Sequence, residues 1–188
     1  MDLVGLIPIG GKPVTAGHWK LITLASSLCP GVLVLTSDQG GRGGKKREAR
    51  VAGASMRVVW QKWLEPELPD HVVLSIVRNP LHTMHDCIAF FEQNGISAMV
   101  FGGTEDLERR FERSSLPDAT NRMLDCKRLS LLSMSREDHE KSGTRMRELL
   151  ASGDAAGFKD GLPSVSESAK DQIWEFLSAA ARTDRRST

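Results

Sequence analysis

The chain has 188 residues, 40% of them hydrophobic, with 25 basic side chains against 24 acidic ones and a formal charge of +1. That length suits one domain with a full core, and the balance excludes both a disordered chain and a strongly basic surface for polyanions. Three widely spaced cysteines, Cys29, Cys87 and Cys126, with no Cys-x-x-Cys, exclude a disulfide framework and a thiolate metal site. A reducing cytoplasm is therefore expected. No apolar run approaches the ~20 residues that cross a bilayer, and Asp2 stands where a secretory signal would carry bases.

In chain order, residues 3–9 ("LVGLIPI") read as a first strand that empties into Gly10, Gly11 and Lys12, the two glycines allowing a tight turn and close backbone approach to a ligand. Pro13 fixes the chain before a helix that begins near Ala16 or Gly17 and carries the stripe Leu21, Ile22, Ala25 and Leu28. Further strands are expected at 31–37, 71–77, 97–102 and 128–134, all rich in Val, Ile and Leu and bounded by turn residues. Between them run the stripe Met56, Val59, Trp60, Trp63 and Leu64, closed by Pro66 and Pro69, and the stripe Met84, Cys87, Ile88 and Phe91. Such stripes are core faces rather than cofactor contacts. Residues 112–126 have no clear period and read as a long loop. "KSGTRMRELL" (141–150) begins another helix, with Ser142 or Thr144 at its start and the stripe Met146, Leu149 and Leu150. "GLPS" at 161–164 separates it from a last helix burying Ile173, Trp174 and Leu177, and the tail "TDRRST" reads as frayed. Near-continuous apolar strands alternating with helices imply right-handed crossovers and a parallel sheet covered on both faces, with ligands beyond the carboxyl ends of the strands.

Two of the helix starts carry chemistry. At the first, backbone N–H groups and the positive dipole end face the place where a parallel sheet puts phosphate. Thr15 and His18, one turn apart on the same side, form a donor cluster there, and Gly17 between them leaves room for a bulky anion. The bland alternative has Thr15 capping the helix and His18 satisfied at the surface. At the later start, Ser142, Gly143 and Thr144, with Arg145 beside them and Arg147 a turn inside, let phosphate meet amides, hydroxyls and guanidinium together. Its alternative is a capped helix with solvated arginines. In "FGGTED" (101–106), Gly103 would let a nucleobase or ribose approach and Asp106 would bond a hydroxyl, against a plain capped turn.

In this order along the chain, "PVTAGH" resembles the [T/H]-x-G-H signature and "SGTRMR" the S-[S/G]-T-x-x-R signature of the nucleotidyltransferase superfamily, which includes cytidylyltransferases, nicotinamide-mononucleotide and phosphopantetheine adenylyltransferases, and sulfate adenylyltransferase. The resemblance runs from residue 3 to about 163, and "WQKWLEPELP", "NPLHTMHDCIAFF" and "GDAAGFKDGLP" look most like small phage-encoded members. Two departures stand out: Gly10, Gly11 and Lys12 replace the usual Gly-x-Phe-x, and Lys141 replaces the isoleucine before the serine.

The resemblance implies an α/β fold: a single Rossmann-like nucleotidyltransferase domain over 1–163, with five parallel strands in the order 3-2-1-4-5, then a C-terminal packing helix and tail over 164–188. It implies transfer of a nucleoside monophosphate from a nucleoside triphosphate to a small phosphorylated acceptor, with release of pyrophosphate. ATP is favoured over CTP by the Ser-Gly-Thr form of the second motif, and magnesium would be held by the substrate. Thr15 and His18 would contact the α- and β-phosphates and Ser142, Thr144 and Arg147 the β- and γ-phosphates, with Gly143 and Arg145 also binding the nucleotide. "GGRGGKKR" (40–47) lacks the Ser or Thr that follows the lysine of a Walker loop, and reads as a flap bringing Arg42, Lys45 or Lys46 over the substrates, against a solvated loop. "RNPLHTMH" (78–85) repeats the outline of the first motif after the wrong strand, so His82 and His85 would line the acceptor pocket; a metal pair lacks a third ligand. Relatives of this kind are often homo-oligomers. Aminoacyl adenylation is disfavoured by the absence of a Lys-Met-Ser-Lys-Ser-like loop, and nucleic-acid binding by basic residues that cluster only at 42–50. The alternative from another class is a nucleotide-binding regulator or scaffold without turnover.

Overall fold

A computed structural model describes residues 2–10, 13–37, 56–104, 107, 129–135 and 141–185, with side chains as far as residue 180. Its strands are β1 (Leu3–Ile9), β2 (Gly31–Thr36), β3 (Val72–Ile76), β4 (Ser97–Gly103) and β5 (Leu129–Met134). They form one parallel sheet in the order β3-β2-β1-β4-β5, as expected from the sequence. The register sets Leu6 beside Leu33 of β2 and Val100 of β4. The chain builds outward from β1 through β2 to β3, then returns to the other side of β1 for β4, so the order reverses between β1 and β4. Open α/β sheets bind their ligands beyond the carboxyl ends of strands at such a reversal.

The helices are α1 (Ala16–Leu28), α2 (Met56–Val59), α3 (Pro80–Gln93), α4 (Gly143–Ser152), α5 (Ala155–Asp160) and α6 (Glu167–Arg185). After α2 the chain continues as a π-helical turn, Trp60–Leu64, and a 3-10 turn, Glu65–Glu67, within which Pro66 stops it. By contact the chain divides into two compact units.

The first unit takes the described residues of Met1–Ile9, Lys20–Thr36 and Pro69–Asp138 and so holds the whole sheet. α3 lies on β1, β2 and β4, and its Met84 and Ile88 join Leu6, Leu35, Ala98, Val100 and Leu107 in a buried core, flanked by half-buried Cys87 and Phe91. Each fully buried Leu, Ile, Val or Met contributes roughly 1.5–3 kcal/mol. Two expectations change here. The outer strands are not covered on both faces, since Val73 of β3 is 58% and Leu131 of β5 42% exposed. An apolar run reports average burial, and an edge strand has a neighbour on one side alone. Leu28, read as part of the α1 stripe, is 47% exposed because it ends the helix and Cys29, next in the chain, takes the inward position at 3%.

The second unit takes the described residues of Gly10–Trp19, Ser37–Leu68 and His139–Thr188. α4, α5 and α6 pack on one another and bury Met146, Phe158, Ile173 and Leu177. Trp174, expected to be buried, is only half-buried, with its ring 5.4 Å from that of Phe158. Trp63 sits 5.6 Å from the Phe176 ring and its indole N–H donates to Gln172 Oε1 at 2.9 Å. The segment read as a frayed tail from Thr183 is helical to Arg185; residues 186–188, like the loop expected at 112–126, lie outside the described residues. Among the described residues no helix is long and apolar enough to cross a membrane.

Candidate functional site

Six residues separate the end of β1 from α1, and Thr15 takes the position just before the helix, its carbonyl accepting from the Trp19 amide at 3.2 Å. Thr15 is 5% exposed and its own N–H donates to His18 Nδ1 at 3.0 Å, with Thr15 Oγ1 3.1 Å from the same nitrogen. His18 thus stands where a glutamate or glutamine closes a capping box. A backbone N–H only donates, so Nδ1 is an acceptor and the neutral ring carries its proton on Nε2. The capping contact uses Nδ1 alone, so it does not by itself conflict with a donor role for Nε2.

The first amides of α1 are not all directed at a ligand, as the sequence suggested. Ala16 N–H donates to the carbonyl of Gly161, in the turn after α5, at 3.0 Å. Gly17 N–H has no acceptor among the described residues. Neither α1 nor α4 has an acidic residue in its first turn.

α4 is capped by Ser142, whose side chain accepts from the Arg145 amide at 3.1 Å. Such a cap is worth about 1 kcal/mol. This decides between the two candidate start residues and leaves Thr144 inside the first turn, where its Oγ1 accepts from Arg147 Nη2 at 2.9 Å. Arg147 is half-buried and folded back onto the helix start. Arg145 is turned elsewhere, its Nη1 paired with Glu148 Oε2 at 3.1 Å, with both side chains more than half exposed. Two residues apart on a helix, the arginines point to different sides.

Gly161 joins the two helix starts. Besides accepting from Ala16, it lies so close to Met146 and Lys141 that an added Cβ would overlap the Met146 sulfur and stand 2.8 Å from Lys141 Cδ. Any larger residue would require the Met146 and Lys141 side chains to shift. Lys141 itself forms an ion pair with Asp160, the residue before Gly161. Sequence reading treated 161–164 as a separator and missed this turn; the visible signal was Lys141 standing in an isoleucine position.

Gly10 has open space where a Cβ would sit and no positive φ, so its backbone does not demand glycine. Gly103 is similarly roomy, with the Met134 carbonyl 4.0 Å away; the glycine that packing requires is Gly102, where a Cβ would stand 2.9 Å from Leu107. Gly11, Lys12, Arg42, Lys45, Lys46 and Asp106 lie outside the described residues. In α3, Asn79 caps the helix by accepting from the His82 amide, and exposed His82 pairs with Asp86 at 3.0 Å. Cys29 and Cys87 are free thiols, each pushed up by burial and Cys87 also by Asp86, which makes them poor nucleophiles.

His85 gives a pH-dependent expectation. Burial, and then the nearby His82, lower its pKa from the ordinary imidazole value, with Asp86 opposing. The folded state then binds fewer protons there than the unfolded chain, so its contribution is full above about pH 6.5 and stability falls as pH drops below that. His85→Gln is expected to flatten the loss of stability between about pH 7 and about pH 5.5 in denaturant titrations; an unchanged slope would contradict the assignment.

No protein-family model matches the chain, and no curated protein matches it. Solved structures do. A bifunctional NMN adenylyltransferase/ADP-ribose pyrophosphatase from Francisella tularensis, complexed with AMP and a manganese ion, superposes with a TM-score of 0.60 at 12% identity, covering 98% of this chain and 53% of its own. A further crystal structure of a bifunctional enzyme of that description from the same organism gives 0.55 at 15% identity, covering 95% and 49%. Thermotoga maritima TmcAL bound with α-thio ATP gives 0.55 at 12%, covering 95% and 56%. The chain spans about half the length of these proteins. At such identities the likeness is one of fold: this is an α/β fold shared with an NMN adenylyltransferase.

Proposed function

We propose that the chain is a nucleotidyltransferase that moves AMP from ATP, in preference to CMP from CTP, onto a small phosphorylated acceptor. The observation that carries this reading is the Gly161 junction: the helix start bearing Thr15 and His18 and the one bearing Ser142, Thr144 and Arg147 are built onto one residue. Two helix starts with no acidic residue in their first turns, joined in this way, suit one polyphosphate. The fold's occurrence in nucleotide-bound structures supports the same reading.

In the reaction, a phosphate oxygen of the acceptor attacks the α-phosphorus of the triphosphate. The new O–P bond forms as the bond from that phosphorus to the α,β-bridging oxygen breaks, and the electron pair leaves with pyrophosphate. An ionised phosphate needs no general base, so the protein's work is alignment and neutralisation of charge. His18 Nε2–H and the Gly17 amide donate to the α- and β-phosphates; the Ser142 cap, Thr144 and Arg147 hold the β- and γ-phosphates. Among the described residues no cluster of three His, Cys, Asp or Glu is placed to hold a metal ion. Magnesium would arrive as part of the triphosphate substrate. Residues 1–163 act as the transferase domain, with 164–188 packing against it; Lys45 and Lys46 belong to a flap, and Gly103 and Asp106 to the nucleoside end.

The test is pyrophosphate release when the protein is mixed with each nucleoside triphosphate and a panel of phosphorylated acceptors. Release with ATP and one acceptor supports the transferase. Nucleotide binding without release with any acceptor favours the regulator of the same fold, and no nucleotide binding at all overturns both.

A further inference from the structure

Of the two departures from the resembling families, Lys141, where they carry an isoleucine, lies wholly among the described residues. Its side chain is 20% exposed, its stem lies beside Gly161, and its ammonium pairs with Asp160. Asp160 ends α5, and Gly161, the next residue, supplies the carbonyl that holds Ala16 N–H. An isoleucine would fill the space of the stem but form no ion pair. We infer that Lys141 is a positioning residue, which through Asp160 fixes the Gly161 turn and thereby the placement of the Thr15–His18 helix start relative to that of Ser142–Arg147.

The inference rests on the reading of these starts as a shared phosphate site, and deepens it. An ion pair with a partner as exposed as Asp160, at 77%, adds little to global stability. Its effect on geometry is larger, because a misplacement of about 1 Å in a reacting site costs on the order of a hundredfold in rate. Position, and not folding, is what Lys141 controls.

The experiment compares Lys141→Met, which keeps the stem and removes the charge, with Lys141→Arg, Asp160→Asn and the Met/Asn double variant. Two readouts are used on the full chain: hydrogen exchange of the Ala16 amide, and ATP affinity by calorimetry. Lys141→Met and Asp160→Asn are each expected to speed Ala16 exchange and weaken ATP binding by about tenfold. The double variant should be no worse than either single one, Lys141→Arg should stay within about threefold of the parent, and melting temperatures should barely move. Unchanged Ala16 exchange in Lys141→Met, or a failure of arginine to restore it, overturns the inference. If the parent protein binds no ATP while Ala16 exchange still responds to Lys141→Met, the phosphate-site reading fails and the mechanical coupling stands; the two failures are thus separate.

Discussion

Replacing His18 with asparagine is expected to lower pyrophosphate release by about 10²–10³ while leaving the fold intact. Asparagine Oδ1 is as many bonds from Cα as His18 Nδ1 and can accept the Thr15 N–H that Nδ1 accepts at 3.0 Å. It has nothing in the place of Nε2–H. The substitution therefore separates the two jobs of one ring: the helix start stays closed and the donor to the α-phosphate is lost. His18→Ala removes both and should add a destabilisation of about 0.5–2 kcal/mol, the usual cost of a lost cap. In a chain of this size each kcal/mol lowers the melting temperature by about 2–4 °C. Full turnover in the asparagine variant would reduce His18 to a capping residue and remove it from the chemistry.

Arg147→Lys is expected to weaken triphosphate binding by about 10–100-fold, although the charge is kept. The guanidinium is held against Thr144 at 2.9 Å and offers a planar fork beside the α4 start, whereas an ammonium reaches one oxygen as a point charge. Arg147→Ala should cost more, about 10²–10³-fold. Arg145→Ala should lose far less than Arg147→Ala, because its guanidinium is directed to Glu148. ATP titrations of the three variants check this, and equal losses at 145 and 147 would contradict the assignment.

The sheet and its strand order were legible in the sequence because parallel strands between helices read as short apolar runs, and the five expected runs fall within a residue or two of the observed strands. Both helix starts were legible for a similar reason: capping residues and glycines mark them locally. What was not legible depends on distance through space. The role of Gly161 comes from Ala16, Met146 and Lys141, which no local pattern connects. The packing at Gly102 depends likewise on Leu107, which lies close to it. The divergence of Arg145 and Arg147 follows from helix geometry once Ser142 is fixed as the cap, but the sequence left Ser142 and Thr144 equally open.

The most direct measurement is a crystal structure of the protein with an α,β-methylene ATP analogue and magnesium. The expected map places the α- and β-phosphates within hydrogen-bond reach of Gly17 N–H and His18 Nε2, and the β- and γ-phosphates against Ser142, Thr144 and Arg147. A nucleotide seated on only one of these helix starts, or bound away from both, would contradict the account.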